Sequence, residues 1–172
     1  MCIPITIYSA NEIIRQIKSR KENYWLKIRE NKSLSIFKWA AKNISAYKSF
    51  LKERGIDYGK IKNFNDFLSV PAISKNNYLK QYSLEEISCR CFLKKPIVFT
   101  ATSGSTGTPF YFPRNKRLNW QVSVIHELFF KNGFLKEEEE STLVIVGFGM
   151  GVWIGGLITY QAFEILSREN GY

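Results

Sequence analysis

Histidine and cysteine are scarce. The 172 residues hold one histidine, His126, and three cysteines, Cys2, Cys89 and Cys91. Cys89-x-Cys91 has no second ligand pair, so a zinc site of ordinary spacing is not expected, and no metal ligands are assigned. An odd cysteine count without secretory context fits reduced thiols. The start, Met1 to Ile7, has no basic n-region and no small-residue cleavage site, so no targeting signal is read and a cytoplasmic location is expected. Internal repeats and low-complexity segments are also missing. Negative charge is thin in the first half. Residues 1–96 carry 19 Lys and Arg against eight Asp and Glu, whereas residues 97–172 carry six against seven. These bases read as singles along amphipathic helices, with no zinc-finger or RNP-type string, so they are expected to be a solvated face and no nucleic-acid partner is expected. The uncharged stretch Thr142 to Tyr160 contains five glycines. That makes a poor single helix, and no membrane span is expected. Strand, Gly-rich turn and helix explain the same letters.

Apolar content of 45% and aromatic content of 15% predict a packed α/β chain. Residues 1–95 read as a helical segment and 96–172 as a phosphate-loop α/β segment of one incomplete domain. Ser9-Ala10-Asn11-Glu12 spells a capping box, and Ile14, Ile17, Tyr24 and Ile28 continue at helical spacing behind it. Phe37, Ala40, Ala41 and Ile44 predict a second helical face. A third helix, about Ala46 to Arg54, should end at Gly55 in a left-handed cap. One turn is expected over Asn65 to Leu68, and Ser74 is placed to cap another short helix. Strands are predicted at 97–101, 110–112 and 143–147, with Pro113 ending the second. A helix from Lys116 to Asn132, capped by Gly133, should bury Leu118, Val122, Ile125 and Phe129, with His126 beside that stripe as a packing or surface residue. Glu137 to Glu140 reads as a solvated loop, and a last helix runs from about Val152 to Arg168.

The most specific stretch is Thr102-Ser103-Gly104-Ser105-Thr106-Gly107-Thr108-Pro109, between two β-prone runs. Two glycines let such a loop fold back and turn backbone N–H groups toward one point, a geometry that binds phosphate. Five hydroxyls add donors. The common P-loop needs a Lys after its second glycine, and here Thr108 and Pro109 follow Gly107. Positive charge must come from a metal ion, from Arg114, Lys116 or Arg117, or from outside the chain. The bland alternative is a Ser/Gly/Thr hairpin loop with no ligand.

This string resembles the phosphate-binding loop of the adenylate-forming superfamily, the acyl-CoA synthetases and their relatives. Most members place a Lys after the Pro. Phe110 stands there instead, which is similar to the branch of phenylacetate–CoA ligases and capsular-polysaccharide biosynthesis proteins. Asn43 to Tyr47 with Gly55-Ile56, Val70-Pro71-Ala72-Ile73-Ser74-Lys75, and Gly147 to Gly156 resemble that branch's flanking segments, so the likeness spans residues 34–166. It implies an AMP-forming ligase: a carboxylate attacks the α-phosphorus of ATP, pyrophosphate leaves, and a thiol such as CoA displaces AMP. It implies ATP, its phosphates held at Thr102, Ser103, Gly104, Ser105, Thr106, Gly107 and Thr108, with Mg²⁺ and CoA as further cofactors, and a small carboxylic acid against Phe148, Gly149 and Trp153. Ordinary core is an equal reading of Phe148 and Trp153. The family's adenine site, ribose-binding Asp and catalytic Lys would lie downstream, so no catalytic residue is assigned here and the chain reads as an N-terminal portion, with the remainder of the enzyme as its partner. The alternative is a catalytically incomplete nucleotide-binding or interaction module, and behind it a basic nucleic-acid-binding or membrane protein.

Overall fold

The computed structural model describes residues 8–89, 97–102, 109–133, 142–151 and 154–169. Among these the protein is mixed α/β, mostly helical, with one two-stranded antiparallel sheet. The chain divides into two compact units, one of Met1–Ile5 with Arg20–Lys95, the other of Thr6–Ser19 with Pro96–Tyr172.

The first unit is helical. Helix α2 (Glu22–Asn43) and helix α3 (Ser45–Glu53) meet at Ile44, whose extended backbone breaks the helix. Three short turns follow: α4 (Phe64–Leu68), α5 (Lys75–Leu79, closed by wide i to i+5 bonds) and α6 (Leu84–Ile87). Each of the three opens on a reciprocal capping box, at Asn63/Asp66, Ser74/Asn77 and Ser83/Glu86, which satisfies backbone N–H groups that a short helix leaves open. Helix α3 ends as its sequence predicts. Gly55 takes φ +67°, Ile56 N–H donates to Leu51 O and Gly55 N–H to Lys52 O, which together form a Schellman cap. The core is aromatic. Phe50 is fully buried between Tyr47, stacked at 6.0 Å, and Tyr78, edge-on at 5.5 Å, while Phe37 meets Tyr47 and Phe67. The Arg54 guanidinium lies 3.7 Å from the Phe50 ring centroid.

The second unit packs helix α1 (Ala10–Ser19) and helix α8 (Ile154–Glu169) against helix α7 (Lys116–Gly133). The Ser9/Glu12 box is present: Ser9 N–H donates to Glu12 Oε2 at 2.7 Å and Glu12 N–H to Ser9 Oγ at 3.3 Å. Strands β1 (Val98–Ala101) and β2 (Tyr111–Arg114) form the sheet, with Val98 opposite Arg114 and Ala101 opposite Tyr111.

Four expectations are corrected. The helical pattern from Ile14 to Ile28 is two helices, broken at Arg20–Lys21, where the Ser19 hydroxyl bonds Gln16 O and Lys21 is extended. No Gly or Pro marks that break, so spacing alone runs across it, and the Phe37–Ala41 face belongs to the same α2. Pro113 does not end β2 but lies within it, opposite Phe99. Thr102 N–H donates to Phe110 O, so ladder bonds fall at 102/110 and alternate along the strand. Residue 113 then falls at a position whose missing N–H faces away from β1, which a sheet edge tolerates. Residues 142–147 have no strand partner among the described residues, although their side chains alternate. Val144 and Val146 are half-buried, while Leu143 and Ile145 are 87% and 83% exposed. Finally, α7 buries Ser123, Val124 and Glu127 and leaves Ile125 and Phe129 each 63% exposed and Leu118 exposed. The helical period is right and the face is wrong, because a polar chain holds the inner side: Glu127 pairs with Lys131 at 3.0 Å, and Lys131 donates to Asn11 at 3.0 Å.

Candidate functional site

The flanks of the Thr102–Pro109 string are a β-hairpin, as the strand–loop–strand reading requires. Ser103, Gly104, Ser105, Thr106, Gly107 and Thr108 lie outside the described residues. The mouth of the hairpin is described. Thr102 N–H donates to Phe110 O at 3.0 Å, and Phe110 N–H returns a bond of 3.0 Å to the Thr102 hydroxyl. A ladder pair of this kind normally exchanges two backbone bonds. Here the side-chain oxygen replaces the Thr102 carbonyl as acceptor, so the hydroxyl is committed to pinning the mouth and the Phe110 N–H is spent. Phe110 also packs edge-on against Phe112, centroids 4.8 Å apart. Thr102 therefore acts here through its neighbour's backbone and keeps one hydroxyl hydrogen to donate.

The three cations considered as helpers sit at the other end of the hairpin. Four residues of strand separate Phe110 from Arg114, about 13 Å at 3.3 Å per residue. Arg114 is 5% exposed, and its Nε and Nη2 both donate to Asn119 Oδ1, at 3.1 and 2.7 Å. Burial pushes its guanidinium below the usual value. That side chain is occupied in joining β2 to the first turn of α7, where Asn115 Oδ1 accepts the Leu118 N–H at 2.9 Å as a cap. Lys116 and Arg117 begin the same turn. They line a cleft of about 550 Å³ with Asn119, Trp120, Gln161 and Glu164, on α7 and α8. Thr100 of the hairpin is 1% exposed, and its hydroxyl has no partner among the described residues.

The Gly-rich segment approaches α8 closely. A Cβ on Gly156 would come within 2.6 Å of Gly149 O and 3.1 Å of Met150 Sδ, so no larger residue fits without backbone movement. Gly151 adopts φ +123°, a region that favours glycine. Phe148 is 60% exposed, Gly149 is exposed, and Trp153 lies outside the described residues. A separate cavity of about 340 Å³ lies between α7, α8 and the 142–146 segment, lined by Phe130, Val144, Val146 and Phe163 with Glu127 and Glu164. Neither Phe148 nor Gly149 is among its described walls. Sequence reasoning did not find this cavity, although the alternation of Val144 and Val146 was legible. His126 is a packing residue: its Nδ1 lies 2.8 Å from Val122 O and so carries the proton, and its ring meets Phe163 edge-on at 5.3 Å. Cys89 is half-buried against the core of the first unit, while Cys2, Cys91 and Glu137 to Glu140 lie outside the described residues.

The branch-like segments of the first unit do structural work. Asn43 closes α2 through Nδ2 to Trp39 O at 2.7 Å, Tyr47 and Val70 pack on the core, and Gly55-Ile56 makes the cap of α3. Compared with known proteins, the chain matches no family model, no curated protein and no solved structure.

Proposed function

We propose that the hairpin around Thr102–Pro109 is a phosphate cradle for ATP, and that the chain is the N-terminal portion of an AMP-forming acid–thiol ligase similar to phenylacetate–CoA ligases and capsular-polysaccharide biosynthesis proteins. The observation that carries this reading is the Thr102–Phe110 pair. It brings the two ends of a Ser/Gly/Thr stretch together at the end of a two-stranded sheet, and a short loop closed in this way is the setting in which successive N–H groups can bind phosphate. In the reaction this would hold the β- and γ-phosphates while charge grows on the leaving pyrophosphate. Arg114 is bound to Asn119 about four strand residues away from the mouth, so the cradle would draw its positive charge from Mg²⁺. Among the described residues no three His, Cys, Asp or Glu converge on a metal. Mg²⁺ would instead arrive with the nucleotide and supply positive charge to its phosphates. The carboxylic acid and CoA enter as substrates of the whole enzyme.

Isothermal titration of the chain with ATP·Mg²⁺ and with pyrophosphate·Mg²⁺ tests the cradle. The reading predicts saturable binding of both and weaker binding of AMP, which lacks the β- and γ-phosphates. Equal binding of AMP, or no binding, would contradict it. ATP–pyrophosphate exchange that depends on an added acid would distinguish a working ligase from a nucleotide-binding module.

A further inference from the structure

We propose that the lysine face of α2 is a docking surface for the phosphate backbone of nucleic acid, binding by charge and without sequence preference. The sequence reading gives no such partner, because its bases read as dispersed singles. The structure changes that premise by placing Lys27, Lys32, Lys38 and Lys42 on one 22-residue helix, with Lys21 at its N-cap. At about 100° per residue the four lysines fall within about 140° of arc, and they span about 22 Å along the axis. Glu22 and Glu30, the acids of α2, fall outside that arc. The buried core side chains Phe37 and Ala41 fall outside the arc, about 80° and 40° beyond its Lys27 edge.

These lysines are exposed, and among the described residues none of them enters an ion pair. The acid that senses one of them is Asp66 on α4. Its carboxyl is held low chiefly by the N–H bonds of Lys62 and Asn63, with Lys38 as a lesser contributor. Two nearby arginines lie against rings: Arg29 over Phe64 of α4 at 5.3 Å and Arg20 over Tyr24, on the arc itself, at 5.0 Å. A row of uncompensated cations costs self-repulsion, and a polyanion relieves it. The spacing along the axis, roughly 6 to 9 Å between successive lysines, suits a continuous line of charge better than a single small anion. A bilayer surface fits less well. An interfacial helix needs large apolar side chains to insert, and Ile36, at the rim of the arc, is the large exposed apolar residue of α2. Tyr24, Ile28 and Trp39 on the arc are half-buried. This surface lies in the first unit and does not depend on the phosphate-cradle reading.

Fluorescence anisotropy of the whole chain with labelled single-stranded RNA and duplex DNA, over a salt series, tests it. Four engaged lysines predict log–log slopes of about −3 for the single strand and about −4 for the duplex. Lys27→Gln/Lys32→Gln/Lys38→Gln should weaken binding and reduce the slope by about 2 to 3, while the corresponding triple Lys→Arg variant binds like the parent. Lys60→Gln/Lys80→Gln, off this helix, should leave binding unchanged. Circular dichroism checks folding, and if the triple Gln variant unfolds, the three single variants replace it, each lowering the slope by about 0.7 to 0.9. Absence of binding at low salt, a triple Gln variant that binds like the parent, or an equal loss in the Lys60/Lys80 variant would overturn the proposal. So would binding to phosphatidylglycerol vesicles with none to nucleic acid.

Discussion

At Tyr78 a phenol is held 5% exposed among rings. Burial first, then the neighbouring Tyr47 and Tyr82, pushes its ionisation up to about 12 from the ordinary 10.0. Tyr47 is raised by burial as well. The folded state thus prefers the neutral phenol more than the unfolded chain does. The stability this provides is fully present below pH 10, where both states are neutral, and is lost as pH rises toward about 12. Chemical denaturation on either side of pH 10 should show a falling midpoint for the first unit, and Tyr78→Phe, which keeps the ring, should flatten much of that fall. A midpoint that ignores pH in the parent would contradict the burial account. Thr102 shows another case in which a single hydroxyl has a structural task. It was read as one of seven phosphate-binding residues, and its oxygen proves to accept the Phe110 N–H.

At the scale of elements, the ends were more legible than the faces. Ser9-x-x-Glu12 and Ser74 announced their caps, and Gly55 announced the end of α3. Gly55→Ala should cost about 1–2 kcal/mol, because a Cβ there meets no atom within 4 Å and the penalty is that of φ +67° alone. Gly55→Asn should cost less, and denaturant unfolding measures both. An alanine variant as stable as the parent would refute the assignment. Asn63-x-x-Asp66 and Ser83-x-x-Glu86 spell the same capping signal, but the helices they open are four or five residues long, too short for their apolar residues to repeat. The face of α7 was not legible for a different reason. Periodicity gives the angle between apolar residues, not which side another helix covers. Here the covered side includes Glu127 and Lys131, which satisfy each other. Pro113 was read as a stop, and the two-stranded sheet turns it into an edge residue.

At the scale of the molecule the two units differ in what they present to solvent. The first shows lysines on α2. The second shows apolar side chains: Leu143 and Ile145 from a segment with no strand partner among the described residues, Ile125 and Phe129 from α7, and Val98 and Tyr111 from the sheet. Hydrophobic content foretold packed cores but not how much apolar surface the second unit leaves uncovered. The hairpin that flanks the candidate site was legible, since β-prone runs stand on either side of the Gly and hydroxyl residues. Its helpers were not, because the distance from Phe110 to Arg114 follows from strand rise and from the Asn119 contact rather than from closeness in sequence. The central claim is that backbone N–H groups of the loop bind the terminal phosphates of ATP. Titration of ATP·Mg²⁺ into Gly104→Val and Gly107→Val, beside Ser103→Ala, Ser105→Ala and Thr106→Ala, tests it most directly, with folding checked by circular dichroism. A lost hydroxyl should cost about 0.5–1.5 kcal/mol, and about twice that against a charged phosphate. A β-branched side chain at a glycine blocks both positive φ and the approach of phosphate, so the two glycine variants should lose binding altogether. Folded glycine variants that bind ATP·Mg²⁺ as the parent does would contradict the claim.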